Sequence, residues 1–593
     1  MIFKKDKRII LAGGVFLLTL LTYLSSLNNP FICYDDYSFI VDNQLVNDFN
    51  LKELFTSFSS GHYHPVTLLS YAMNHTFSGL NPVGFHATSL LLHLLNVLLV
   101  FWLVFKISGK PSIATIAALL VAVHPMNVES VSWAAARSSV LYPVFFLLAL
   151  IFYLRKLKTR NLPSGRPGLK LETYYSFFFF LLACFSKSSA VILPLVLLLL
   201  DWYFGRKLTV KVFTEKIPFF FVSIIFGITA IYASDEFGSL GVTAADFSFF
   251  DRLFMVGYAL LFYPFKLLFP VQLSAIHYNP VKVDGWMPIA YYIAPIVLAI
   301  LIWLVYRFRH KKEIIFGTLF YLINIILVSQ VVSLGNTIVS ERYFYVPAIG
   351  LFFVIGSLLN EGLNRTKLKP LMISGLIAAT VMFSFISWKR TQVWNSGLAI
   401  FTDVIEKYPN GPDAYYGRGI AKTELGNLKG AIADYNKAIV LHPEYAVAYG
   451  NRAGLKVQMG DASGALHDYD TAIKFDRAYF AAIMNRGQLK SQLADYRGAI
   501  ADYEIAIQLN PENPLGYHNR GAAKAKIGDY EGAITDYKKA LVLNVELAET
   551  YAAKGNTEFL LNKMPQACSD WKKAVELGYK SSEKLLKEYC VNP

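Results

Sequence analysis

The stretch FICYDDYSFIVDN, residues 31–43, places two adjacent carboxylates, Asp35 and Asp36, just after an apolar run. That run, residues 9–27, is long enough to cross a bilayer core of roughly 30 Å. Carboxylates are costly to hold in lipid, so the chain after residue 28 is predicted to form a solvated loop outside the membrane. Taken alone, the pair is best explained as part of that loop, and the rest of the chain decides whether it does more.

Hydrophobicity is unevenly distributed along the 593 residues, of which 54% are hydrophobic. Apolar runs of about 17 to 20 residues recur as far as Trp388, and none follows Thr402, which predicts a change of solvent near residue 390. The net charge is +14, but much of the excess lies in short loops between apolar runs. Such loops indicate membrane orientation, so nucleic acid is not an expected partner.

The basic residues between Lys4 and Arg8 predict a cytoplasmic N-terminus followed by a retained signal anchor. Alternating the remaining basic loops across the bilayer predicts about eleven spans and an extracytoplasmic C-terminus. A helix at 252–268 is expected to be interfacial or re-entrant. The spans are predicted at 9–27, 86–105, 113–131, 138–154, two short helices within 174–204 that meet at Lys187, 217–234, 288–306, 313–331, 343–360 and 370–388.

The second half of the chain repeats every 34 residues. The period is carried by a basic residue, an aspartate, an aromatic residue and a turn. The basic positions are Arg418, Arg452, Arg486, Arg520 and Lys554; the aspartates are Asp434, Asp468, Asp502, Asp536 and Asp570; the turn pairs are Gly426-Asn427, Gly460-Asp461, Ala494-Asp495 and Gly528-Asp529. Small residues recur where two helices must approach closely, so the pattern predicts stacked helical hairpins.

A helix–turn–helix period of this kind resembles tetratricopeptide (TPR) repeats. The expected fold is therefore all-α: a multi-span membrane domain over 1–390, followed by a TPR α-solenoid over 391–593. Five repeats are predicted over about 413–580, with a leading half-repeat at 398–409 and a capping helix at 581–590.

Two features of the array are left open by the sequence. The asparagines Asn451, Asn485 and Asn519 line a peptide-binding groove or only fix the packing. Cys568 and Cys590 are able to pair if this end faces an oxidising compartment.

Polar residues that are costly near lipid cluster on the predicted outer face, which makes them candidates for function. Glu129 and Arg137 have a purely structural alternative to a role in function, since they could form an ion pair between spans. The same alternative applies to Glu341 with a neighbouring residue. Carboxylates beside cations at a lipid boundary suit acid–base chemistry on a lipid-linked anion. The candidates are Asp35, Asp36, His62, His64, His124, Glu129, Arg137, Lys187, Glu341, Arg342 and Tyr345.

The order of these motifs, followed by the repeats, resembles the transmembrane and TPR-containing (TMTC) proteins and their bacterial relatives among the GT-C glycosyltransferases. The resemblance spans essentially the whole chain. It is carried by Asp35-Asp36, His64-Pro65-Val66-Thr67, Gly79-Leu80-Asn81-Pro82 with Gly84-Phe85-His86, His124-Pro125 through Glu129-Ser130-Val131, Lys187, and Glu341-Arg342-Tyr343 with Val346-Pro347.

This resemblance implies a glycosyltransferase that moves a mannose-like sugar from a polyprenyl-phosphate donor to a Ser/Thr hydroxyl of a protein recruited by the array. It implies Asp35 and Asp36 as catalytic residues. Donor-phosphate binding is expected at Arg342, Lys187, Arg137 and His124, with Glu129, Glu341, His64 and Tyr345 in support. The alternatives are a non-enzymatic membrane-anchored TPR scaffold, and a GT-C enzyme that acts on a glycolipid or cell-wall polymer.

No tightly bound cofactor or metal is expected, and a divalent ion at Asp35 and Asp36 is left open. The expected surroundings are membrane lipid and a multi-pass location in the plasma membrane, with the TPR domain periplasmic. In a eukaryote, the location would be the endoplasmic reticulum, with a lumenal TPR domain.

Overall fold

The computed structural model describes residues 2–32, 35–159, 168–236, 247–328, 337–363, 367 and 369–590. Cys33, residues 160–167 of the basic loop predicted over 155–170, and the end of the span predicted at 313–331 therefore lie outside the described residues. The chain divides into two compact units, Met1–Pro409 and Asn410–Pro593. Almost every regular element in them is helical, and the prediction of an all-α fold is confirmed.

The first unit is built on long apolar helices, since runs of apolar side chains satisfy their backbone polar groups internally in a helix. These helices are Ile2–Tyr23, Pro82–Ser108, Pro111–Val123, Val128–Ser132, Ser138–Thr159, Gly168–Ser186, Leu193–Tyr203, Ile217–Glu236, Phe249–Leu268, Ile289–Arg307, Lys312–Ile325, Pro347–Leu363 and Lys369–Thr391.

Shorter elements connect them: the α-helices Gln44–Asn47, Leu51–Thr56, Pro65–Ser78 and Val210–Thr214, and the two antiparallel strands His277–Tyr278 and Thr337–Val339.

Six helices of the described residues are long and apolar enough to cross a membrane, or seven if the bent pair Pro111–Val123 and Pro125–Ser132 is one span. Three further apolar helices are shorter, so the predicted count of eleven is not confirmed. The described helices include two short ones that meet at Lys187, at the place predicted for them. The first unit is a multi-pass membrane unit.

The bend in that pair is 56° and falls at His124-Pro125. Proline has no N–H to donate, and it holds the residue before it in an extended conformation. His124 accordingly has φ −70° and ψ 127°, and its Nδ1 accepts a hydrogen bond from the backbone N of Met126 at 3.3 Å. The bend turns the segment that carries Glu129 out of line with the helix before it.

The helix Gly397–Lys407 belongs to the first unit, although the sequence assigned it to the repeats. Asp403 binds Arg390 Nη1 at 2.8 Å, and Lys407 Nζ donates to the carbonyl of Leu273 at 2.5 Å. These contacts place the boundary between the units at 409/410 instead of the predicted 390/391. The sequence periodicity could not reveal this packing.

The second unit consists of five helical hairpins and a terminal helix. The hairpins pair Pro412–Glu424 with Leu428–Leu441, Ala446–Gln458 with Ala462–Phe475, Phe480–Gln492 with Tyr496–Leu509, Pro514–Lys526 with Tyr530–Leu543, and Ala548–Leu560 with Met564–Glu576; Ser582–Tyr589 follows. Cys568, in the last hairpin, is disulfide-bonded to Cys590 after the terminal helix.

The periodic aspartates form a repeated ion pin, which we define as one buried aspartate bound by two cations of the preceding helix. In the third hairpin Asp502 accepts from Arg486 Nε at 3.0 Å and from Lys490 Nζ at 2.9 Å. The same pin recurs as Arg418–Asp434–Lys422, Arg452–Asp468–Lys456 and Arg520–Asp536–Lys524. Each pin closes between the two helices of one hairpin.

Candidate active site

Asp36 is buried, and backbone groups occupy both of its carboxylate oxygens. It accepts from the N of Ile32 at 3.0 Å and from the N of Ala135 at 2.7 Å. Burial raises the pKa of Asp36 to about 7, and the two N–H donors oppose that rise. Asp36 thus fastens the first loop to the turn Ala134–Arg137.

The neighbouring Asp35 is half-buried and lines a cavity of about 350 Å³. In the described part of the chain, no donor forms a hydrogen bond to its carboxylate. Burial raises the pKa of Asp35, and the charge of Arg342 partly counters the rise. The Asp35 carboxylate is therefore available to a ligand, whereas that of Asp36 is not.

Two cations, Lys187 and Arg342, line the same cavity. Lys187 lies between two short apolar helices and donates to Ser139 Oγ at 2.8 Å. Burial lowers the pKa of Lys187 to about 7, with a further contribution from the charge of Arg342. None of the described carboxylates lies within 4.0 Å of the Lys187 ammonium, so this cation can serve an anionic ligand.

Arg342 is held from behind by Glu129. The carboxylate of Glu129 accepts from Arg342 Nη1 at 2.6 Å and from its backbone N at 3.0 Å. Burial alone would lower the pKa of Arg342, but the carboxylate of Glu129 raises it overall, and the guanidinium stays charged. The side chain of Glu129 is 1% exposed and that of Arg342 is 27% exposed, so only the cation faces the cavity. Glu129 pairs with Arg342 and not with Arg137.

Arg137 and His124, two of the expected phosphate ligands, lie outside the cavity wall. Arg137 is buried against the ring of Tyr71, and its Nη2 donates to the carbonyl of Phe85 at 2.9 Å. The Nε2 of His124 hydrogen-bonds to the carbonyl of Leu267 at 3.1 Å. Both side chains hold the elements around the cavity together.

The remaining expected residues also divide into those that line the cavity and those that lie outside it. Glu341 is buried and accepts from the N of Ser274 at 2.6 Å, and Tyr345 OH lies 2.6 Å from His93 Nδ1. His64 alone of these supporting residues lines the cavity, together with His62. The structure thus brings together four of the predicted residues, Asp35, Lys187, Arg342 and His64.

Comparison with known proteins connects this geometry to a family. The chain is 26% identical over 515 residues to the protein O-mannosyl-transferase TMTC1 of Homo sapiens, covering 72% of this chain and 55% of that protein. It is 36% identical over 155 residues to the protein O-mannosyl-transferase tmtc2 of Xenopus laevis, covering 24% and 18%. The chain is thus similar to TMTC proteins of animals. It spans about half the length of the human relative.

The repeats of this chain match tetratricopeptide family models at residues 412–445 and 516–544, and a TPR repeat model at 492–528. Among solved structures, it is similar to "YrrB: a TPR protein with an unusual peptide-binding site" at 18% identity. That match covers 32% of this chain and 97% of the other, with a TM-score of 0.29. The predicted TPR array is confirmed by the family models.

The sequence did not single out the wall helix, Ile217–Glu236, whose residues close one side of the cavity. Small side chains at Gly227, Ala230 and Ser234 leave room for a ligand there. Their spacing of three and four residues on an apolar helix was the available signal. Phe39 and Tyr343 also line the cavity, and the sequence did not predict this role for either. They lie in short helical turns that have no periodic pattern.

The described residues contain no group of three or more His, Cys, Asp or Glu able to hold a metal ion.

Proposed function

We propose that the protein transfers a sugar, mannose in the simplest case, from a polyprenyl-phosphate donor to a Ser/Thr hydroxyl of a protein. One observation carries the proposal: the cavity combines an available carboxylate, Asp35, with two cations, Lys187 and Arg342. Transfer of a sugar from a phosphate leaving group to a hydroxyl requires a general base that takes the hydroxyl proton. It also requires cations that stabilise the phosphate as it leaves.

In this scheme the acceptor hydroxyl loses its proton to Asp35. Its oxygen forms a bond to the anomeric carbon while the bond from that carbon to the phosphate oxygen breaks. The electron pair leaves with the polyprenyl phosphate, and Arg342 and Lys187 stabilise the added negative charge. Attack opposite the leaving group inverts the anomeric centre. The scheme needs no metal ion.

A lipid-linked donor is supported by the wall helix. Its cavity side carries the small residues together with Ile231, while apolar side chains outside the cavity lining, such as Ile224 and Ile228, are 61% and 63% exposed. Such exposure on a membrane unit suits contact with lipid. A donor can thus keep its polyprenyl chain in the bilayer with its phosphate in the cavity.

A protein acceptor is supported by the repeats, since TPR arrays present extended surfaces for peptides. We place the array outside the cytoplasm. The basic residues near the N-terminus and the Cys568–Cys590 disulfide agree with that orientation, because disulfides persist in oxidising compartments.

The test is transfer of mannose from polyprenyl-phosphate-mannose to a threonine-rich peptide by the full-length protein. Asp35→Asn should lower kcat by about 100-fold or more, the usual contribution of a general base, without changing the unfolding temperature. Asp36→Asn should instead lower the unfolding temperature, because it weakens the link to Ala135. Wild-type turnover by the Asp35→Asn protein would refute the proposal.

A further inference from the structure

Two histidines lie side by side in the cavity wall with no assigned task. The ring centroids of His62 and His64 are 5.6 Å apart, and the ring of Phe39 lies 6.0 Å from His62 and 5.6 Å from His64. His64 is 9% exposed, and its Nε2 has no hydrogen-bond partner among the described residues. A buried polar atom without a partner is destabilising, so a ligand that supplies a hydrogen bond to it gains affinity.

The backbone around the two histidines is fixed before any ligand binds. Ser59 and His62 exchange backbone hydrogen bonds of 3.0 and 2.9 Å, and Asn43 Nδ2 donates to Ser59 Oγ at 3.0 Å. Thr67, one turn into the helix Pro65–Ser78, donates to the carbonyl of Ser186 at 2.8 Å. That bond connects the histidine segment to the residue before Lys187, so the spacing between the histidines and this cation is preorganised.

Both imidazoles are neutral near pH 7. Burial lowers the pKa of His64 to about 3 and that of His62 to about 4, and the charge of Lys187 contributes to both shifts. A neutral imidazole offers one N–H donor and one nitrogen acceptor, which match the donor and acceptor of a hydroxyl group. The face of Phe39 beside them is an apolar surface suited to the C–H face of a sugar ring.

We propose that His62, His64 and Phe39 form a subsite that recognises hydroxyl groups of the donor sugar, while Lys187 and Arg342 hold its phosphate. This inference rests on the proposed function and adds the residues that select the sugar. It divides the cavity into an uncharged sugar end and a cationic phosphate end.

The experiment compares binding of two lipids to the full-length protein: polyprenyl phosphate and polyprenyl-phosphate-mannose. The ratio of the two dissociation constants measures what the sugar contributes. His64→Phe and His62→Phe keep an aromatic ring and remove the ring nitrogens. Each should reduce that ratio by about 5- to 10-fold while leaving the affinity for the sugar-free lipid unchanged. His75→Phe, on the helix Pro65–Ser78 that follows the two histidines and outside the cavity wall, is the matched control and should change neither affinity.

A second measurement identifies the hydroxyl and guards against a variant that misfolds. Wild-type protein should discriminate against one or more monodeoxy-mannosyl donors, and His64→Phe should lose that discrimination for a particular hydroxyl. The more exposed His62→Phe variant repeats the test if His64→Phe fails to fold. Equal effects on both lipids, or intact discrimination in both variants, would overturn the subsite. Failure of wild-type protein to bind either lipid would overturn the proposed function and the subsite with it.

Discussion

The charges of Asp35 and Lys187 should decide the pH range in which transfer runs. Asp35 acts as a base only when ionised, and burial raises its pKa, so activity should fall as the pH drops below a value higher than usual for a carboxyl. Lys187 holds the phosphate only when protonated, and its pKa is lowered to about 7, so activity should fall above that pH. We expect a bell-shaped profile of kcat/KM whose alkaline side falls above about pH 7.

Lys187→Arg provides the control for the alkaline side. A guanidinium stays charged throughout this range, so the alkaline fall should disappear while the acid fall remains. The charged groups around Lys187 are Arg342 and Glu129, and Arg342 keeps its charge over the whole range. An alkaline fall that persists unchanged in Lys187→Arg would show that another group titrates.

At the scale of the residue, the sequence named several residues that the structure brings together in one cavity. It did not indicate the different contacts that each of them makes. Asp35 and Asp36 look equivalent in the sequence. The backbone donors that bind Asp36, Ile32 and Ala135, distinguish them, and Ala135 is 99 residues away. Glu129 and Arg342 are separated by 213 residues, so no local pattern could pair them. The basic residues of short loops predicted that the candidates lie on one side of the membrane. The cavity brings together a subset of these candidates.

At the scale of the element, two turns in the array depart from the others. The turn between the two helices contains Gly426, Gly460 or Gly528 in three hairpins, with φ of 73°, 82° and 85°. The third hairpin places Ala494 there with φ 63°, and the fifth places Asn562 there with φ 57°. A Cβ costs about 1 kcal/mol in this left-handed region, so Ala494→Gly should stabilise the hairpin by about 0.5–1 kcal/mol.

Gly460→Ala is the reciprocal variant. A Cβ at Gly460 meets no atom within 4 Å, so any loss of stability reflects backbone conformation alone and should be about 1 kcal/mol. Hydrogen exchange of amides in 480–509, or in 446–475 for the reciprocal change, measures both effects in the full-length protein. Destabilisation by Ala494→Gly would contradict this account.

The element scale is where the sequence predicted most. The 34-residue period identified the hairpins, because side chains one repeat apart occupy equivalent positions. The helix Gly397–Lys407 was misassigned because it looks like half a repeat, whereas its partners, such as Leu273, lie in the first unit.

For the whole molecule, that boundary predicts where the chain tolerates truncation. A chain that ends at Pro409 keeps the ion pair between Arg390 and Asp403, whereas one that ends at Ser396 removes Asp403 and leaves the buried Arg390 without it. Loss of one partner of a buried pair costs about 3–5 kcal/mol, so only the shorter chain should unfold at a clearly lower temperature.

The truncated chain that ends at Pro409 also separates binding of the lipid donor from transfer to the protein acceptor. It should bind polyprenyl-phosphate-mannose with wild-type affinity and lose transfer to the protein acceptor, because the array is absent. Equal unfolding temperatures for the two truncated chains would contradict the boundary. Undiminished transfer to a folded protein acceptor would contradict recruitment by the array.

The ion pins of the array have a consequence for how its length evolves. Four of the buried aspartates find both cations inside their own hairpin, as Asp502 does with Arg486 and Lys490. Duplication or deletion of one of these 34-residue units therefore copies or removes a complete set of one aspartate and its two cations. The array can therefore gain or lose single repeats without leaving a buried charge unpaired. The length of the proposed acceptor surface can change in this way while the membrane unit stays the same.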